Sequence, residues 1–105
     1  MLCEDKNPPL AVLQRFAVMA REDKSPFVRL SLASALQRIP ENARWPIAQG
    51  LVTHAEDVTD HNLPLMIWYG IESAVPTNRA EAMKLAGQSK IPLVREFVVR
   101  RLAEP

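Results

Sequence analysis

The chain is poor in cysteine, in glycine and in any excess of charge. It has one cysteine and three glycines in 105 residues, and its 13 basic residues meet 12 acidic ones, leaving a formal net charge of +1. Each shortage excludes something. The lone Cys3 makes no internal disulfide and no cysteine-rich zinc site. The balanced charge argues against a chain whose main business is gripping nucleic acid, because that affinity rests on neutralising phosphates. The longest apolar run, Leu63–Ile71, has nine residues, against the ~20 that span a bilayer. Residues 1–6 carry no apolar segment of the kind that directs secretion. No stretch sustains the alternation of apolar and polar residues that marks a strand.

What remains is ordinary globular material. The sequence is 48% hydrophobic and 24% charged, which excludes disorder as the main state. At this length the expectation is one domain spanning 1–105, large enough to fold without a disulfide or metal staple.

Proline, by contrast, is plentiful, and its nine copies are ordered. Pro8, Pro9, Pro26, Pro46, Pro64 and Pro92 stand at or near the start of apolar stretches, while Pro40, Pro76 and Pro105 stand at their ends. Proline is tolerated in the first turn of a helix and disfavours helix in the residue before it. The apolar residues between these marks follow the helical period. Examples are Leu13, Phe16, Ala17 and Ala20; Val28, Leu32, Ala35, Leu36 and Ile39; and Val94, Phe97, Val98 and Leu102. The spacing predicts six helices, near 9–22, 26–38, 44–56, 63–75, 79–88 and 92–103, and an all-α fold. Ser25 before Pro26 is an expected N-cap, Asp60 or Asn62 another, and Asn78 with Glu81 resembles a capping box.

Three segments share a form. Ser25-Pro26-Phe27-Val28-Arg29, Leu63-Pro64-Leu65-Met66 and Ile91-Pro92-Leu93-Val94-Arg95 each open with proline in the first turn and continue apolar. Each also ends at a second proline, Pro40, Pro76 and Pro105 in turn. The first-turn prolines Pro26, Pro64 and Pro92 recur at intervals that each hold one pair of predicted helices. A helix-pair repeat of this kind points to helical hairpins that bury one face against the next. Pro-Phe-Val-Arg and Pro-Leu-Val-Arg resemble the start of the second helix of HEAT repeats, here with the small and apolar residues Leu32-Ala33-Ser34-Ala35-Leu36 following. The central repeat departs from that pattern, with Met66-Ile67 in place of Val-Arg. The resemblance implies a short right-handed α-α superhelix of about three HEAT-like hairpins. A narrower likeness rests on Ala35-Leu36-Gln37-Arg38-Ile39-Pro40, Asp60–Tyr69 and Lys90-Ile91-Pro92-Leu93-Val94-Arg95. These are similar to the HEAT region of large bacterial proteins described as membrane-bound dehydrogenases, which also carry a β-propeller and a c-type haem domain. The Cys-x-x-Cys-His of the haem domain is absent here, so neither redox chemistry nor a cofactor transfers. That likeness implies a helical module cut from a larger exported or envelope-associated parent.

Several clusters compete for a role. His54, Glu56, Asp57, Asp60 and His61 are metal-capable types, but a site needs three or four ligands converging in space. The simpler expectation is a polar inter-helix loop with Asp60 or Asn62 as cap. His61 as a general base has no spacing signature around it. The run from Leu65 to Ile71 is apolar all round, so Met66, Ile67 and Ile71 are expected in the core, with Trp68 or Tyr69 alternatively on the surface as an interface anchor, and Gly70 marking a close helix approach. Trp45 is expected to pack inside. Arg29 and Arg95 hold equivalent repeat positions. They could line one face as a basic ladder, with Arg100, Arg101 and Lys90 as the other basic candidates, although in HEAT repeats, as the resemblance implies, such an arginine serves hydrogen bonding within the stack. The last helix has apolar residues on more than one face, which marks it as a surface that something covers and as a candidate for weak self-association.

The sequence thus leads to a non-catalytic scaffold or protein-interaction module, with no cofactor and no membrane insertion. Its candidate surface is Arg29, Asp60, His61, Trp68, Tyr69, Arg95 and Arg100, and its partners are proteins or neighbouring domains. A nucleic-acid-binding HEAT-like domain is the alternative, and a metal or catalytic site at His54 and His61 stands behind it.

Overall fold

The computed structural model describes residues 10–104, so Cys3 and the opening residues 1–9 lie outside it. Six α-helices make up the described chain: α1 (Leu10–Glu22), α2 (Pro26–Ala35), α3 (Arg44–Leu51), α4 (Leu63–Ile71), α5 (Arg79–Gln88) and α6 (Pro92–Ala103). Among the described residues there is no strand, and the fold is all-α.

Local chemistry sets the helix starts. Ser25 Oγ accepts from the Val28 amide at 3.5 Å and Pro26 follows in the first turn. Asp60 Oδ1 accepts from the amides of Asn62 and Leu63, both at 2.8 Å, so Asp60 rather than the Asn62 side chain satisfies the start of α4. Asn78 accepts from the Glu81 amide at 3.4 Å, but Glu81 does not reach back as a capping box requires. Its Oε2 accepts instead from Gln49 on α3 at 2.6 Å.

Three of the expected helices are shorter than their apolar patterns. The 26–38 pattern tightens into a 3-10 turn at Leu36–Arg38, and 63–75 into one at Glu72–Ala74. The 44–56 pattern stops at Leu51, followed by a separate 3-10 segment, Ala55–Thr59. Tight 3-10 turns are common at helix ends, and they leave the apolar period locally unchanged while ending the α-helix.

The helices pack in two rows. In one row α1 lies on α3 and α3 on α5; in the other α2 lies on α4 and α4 on α6. The α1/α2, α3/α4 and α5/α6 pairs are themselves in contact. The core runs between the rows, through Ala20, Leu32, Leu36, Trp45, Leu51, Ile67, Ile71, Leu85, Val94 and Val98. Two glycines set the spacing within a row. A Cβ on Gly70 of α4 would stand 2.6 Å from Leu36 Cβ, and one on Gly50 of α3 would stand 3.1 Å from Ala20 Cβ on α1. The backbones approach closely because those side chains are absent. Trp45 is buried, and its indole N–H has no partner among the described residues. No helix of the described residues is long and apolar enough to cross a membrane.

Candidate functional site

The same turn precedes every helix of the second row. Asp23 Oδ1 accepts from the Ser25 amide at 2.8 Å, Asp60 Oδ1 from Asn62 at 2.8 Å, and Ser89 Oγ from Ile91 at 3.1 Å. Short polar side chains favour this bond to the amide two residues on, and it turns the chain into the next helix. Two of the three helices then carry an arginine that reaches back to the turn residue. Arg29 donates from Nη1 to the Asp23 carbonyl at 3.1 Å, and Arg95 donates from Nη2 to the Ser89 carbonyl. The two arginines therefore repeat in geometry as well as in sequence.

Their surroundings differ. Arg29 is 1% exposed. Its Nε and Nη2 grip both carboxylate oxygens of Asp57, at 2.6 and 2.7 Å, across the junction between α2 and the Ala55–Thr59 segment. Bonding to Asp57 raises the Arg29 pKa further above its ordinary value, and the fork-on-fork geometry is the strongest form of this pair. Arg95 lies exposed on α6, with no carboxylate paired to it among the described residues.

The other candidate residues separate in the same way. Trp68 is buried, its ring stacked on Phe97 of α6 with centroids 5.5 Å apart, while its neighbour Tyr69 is 53% exposed. Arg29 and Trp68 are thus withdrawn from the candidate surface. The first is held by a buried carboxylate, and the second fills the α4/α6 junction. Asp60, His61, Tyr69, Arg95 and Arg100 remain exposed. Arg100 pairs with Glu96 one turn earlier at 2.6 Å.

The polar cluster at 54–61 disperses. His54 Nε2 donates to the Ala20 carbonyl at 2.7 Å, tying this loop to α1. Its Nδ1 lies 3.4 Å from Glu56 Oε2. Asp57 turns inward to Arg29, and Asp60 turns to the start of α4. The Leu63 and Asn62 amides hold the Asp60 carboxyl below its ordinary pKa. The Glu56 carboxyl is also lowered, first by a backbone N–H and then by His54 and Arg29. No three of His, Cys, Asp and Glu converge as a metal site would need among the described residues. With one nitrogen on a carbonyl and the other facing a carboxylate, His54 is a strut between this loop and α1.

Three roles escape the sequence reading. Asp57 registers there only as a metal-capable residue, although its partner Arg29 lies far back along the chain on α2. Arg44 binds the carbonyls of Ile39, Gly70 and Gln37 at 2.7, 3.0 and 3.3 Å, closing the ends of the α2 and α4 segments together. Gln49 bridges α3 to α5 through Glu81. The recurrent Asp or Ser shortly ahead of Pro26, Pro64 and Pro92 is the signal that could have placed the turns.

Charge is segregated along the stack. Residues 39–78 carry one basic and five acidic residues, whereas 79–105 carry six basic and three acidic. Compared with protein-family models, with curated proteins and with solved structures, the chain matches none.

Proposed function

We propose that this chain is a non-catalytic interaction module of HEAT-like helical hairpins, stacked as a short right-handed superhelix and presenting its surface to protein. The recurrence described above carries this reading: one turn and one arginine geometry, seen at Asp23/Arg29, return two hairpins later at Ser89/Arg95. Repetition of this kind is how a hairpin stack extends. The two-row packing supports the same view. The resemblance to the HEAT region of membrane-bound dehydrogenases is the ground for placing the module in a larger envelope-associated protein.

The exposed residues Asp60, His61, Tyr69, Arg95 and Arg100 are the contacts on this reading. Tyr69 offers a rigid, amphipathic anchor of the kind that dominates interfaces. Crosslinked capture with the chain as bait, read by mass spectrometry, tests it. The expected result is a protein retained by the wild type and released by Tyr69→Ala or Arg95→Glu, with an unchanged unfolding midpoint for each variant as the folding control. The basic excess of residues 79–105 favours nucleic acid as the second reading. Retention of nucleic acid alone, released by moderate salt, would replace the first reading with the second.

A further inference from the structure

The offset that aligns Arg29 with Arg95 aligns the rest of α2 with α6: Leu32 with Val98, Ala33 with Val99 and Leu36 with Leu102. Arg29 and Ala33 of α2 and Leu36 of the 3-10 turn after it form the stripe that receives α4 and its leading segment. Ala33 is wholly buried there, and Leu36 meets Gly70. On α6 the corresponding stripe of Arg95, Val99 and Leu102 receives no helix among the described residues. Val99 is 52% exposed, and a shallow apolar groove runs beside it between α6 and α5, lined by Met83, Ala86, Val99 and Leu102. α6 packs on α4 through its other side, where Phe97 meets Trp68. The forward face of α6 is therefore a copy of a face that, two hairpins earlier, is closed by a helix and a carboxylate.

Resting on the interaction-module reading, we propose that this face docks a helix of an acidic protein partner. The helix is received as α4 is received by α2, with a carboxylate from its leading loop seated on Arg95. Charge selects this occupant. The segment that closes α2, residues 55–71, bears Glu56, Asp57 and Asp60 and no Lys or Arg, whereas the docking end, 79–105, has twice as many basic as acidic residues. A second copy stacked head to tail fits less well, because its residues 10–38 carry five basic and two acidic groups and would meet charge of the same sign. A small side chain within the incoming helix, as Gly70 provides on α4, would let it close on Leu102.

The probe is at hand in the chain itself. A fluorescein-labelled peptide of residues 55–71 is titrated into the full chain and followed by anisotropy. The expected result is saturable binding that weakens at least 10-fold with Arg95→Ala in the protein, and by a similar factor with Asp57→Asn in the peptide. The two changes together should cost little more than either alone, because both remove the same pair. Val99→Glu abolishes binding, and Lys24→Ala, an equal loss of charge in the exposed turn between α1 and α2, leaves it within about twofold. Absence of binding, or equal binding by wild type and Arg95→Ala, overturns the proposal. So does light scattering that shows the chain alone forming dimers lost with Arg95→Ala, since the occupant is then a second copy. The capture experiment fails separately: a protein released by Tyr69→Ala but kept by Arg95→Glu leaves the module standing and removes only this face.

Discussion

Helices α2 and α6 begin with the same Pro-x-Val-Arg and the same side-chain turn, yet one arginine is sealed and the other open. Arg29 is buried against both oxygens of Asp57, while Arg95 is exposed and, among the described residues, binds only a backbone carbonyl. The motif orients the guanidinium along its own loop. What stacks next decides whether that guanidinium is a structural bolt or an exposed contact. The same lesson separates Ala33 from Val99, which occupy one repeat position and differ from fully buried to half-exposed.

The sharpest way to break the comparison is to remove the carboxylate from the closed site. Asp57→Ala leaves a buried arginine without its counter-charge and is expected to cost about 3–5 kcal/mol in urea unfolding, because the desolvation of the surviving ion is no longer offset. Replacing both partners with apolar residues, Arg29→Met with Asp57→Leu, should recover most of that loss. A double variant as unstable as the single would place the value of this junction elsewhere.

The glycines supply the next test. Gly70→Ala gains about 1 kcal/mol of helix propensity, but its Cβ would lie 2.6 Å from Leu36 Cβ. Overpacking of that kind costs about 1–3 kcal/mol, so a net loss is expected by thermal unfolding. Gly87→Ala meets nothing within 4 Å and is expected to stabilise by about 0.5–1 kcal/mol. Equal effects at the two sites would contradict the close approach of α4 to Leu36 in the turn that ends the α2 segment.

Acid should act through the carboxyls that the fold holds ionised. Asp60 and Glu56 have folded pKa values below their ordinary ones, so the folded chain binds fewer protons than the unfolded chain in that range. Their contribution is fully present above the ordinary carboxylate range and is lost as pH falls through the lowered values. Midpoints measured down a pH series should drop below about pH 4. Asp60→Asn should flatten part of that drop, since the amide keeps an acceptor for the Asn62 and Leu63 amides without titrating.

The helices were legible because their signals are local. First-turn prolines, caps and the helical apolar period act within a few residues, and all six helices fall where those signals put them. Their ends were less legible, because the 3-10 turns at Leu36–Arg38 and Glu72–Ala74 keep the apolar period running. The candidate surface was legible only in part. Trp68 and Tyr69 are neighbours of similar chemistry on one helix, and only the position of Phe97 decides which is buried. The Arg29–Asp57 pair joins residues that no local pattern connects, so in sequence Arg29 reads as the equal of Arg95 and Asp57 as a metal-capable acid.

The most direct measurement is therefore a pair of urea unfolding curves, Arg29→Ala beside Arg95→Ala. The expected result is a loss of about 3–5 kcal/mol for the first and no more than about 0.5 kcal/mol for the second, as for most exposed substitutions. Equal losses would contradict the claim that one repeat position is closed at α2 and open at α6.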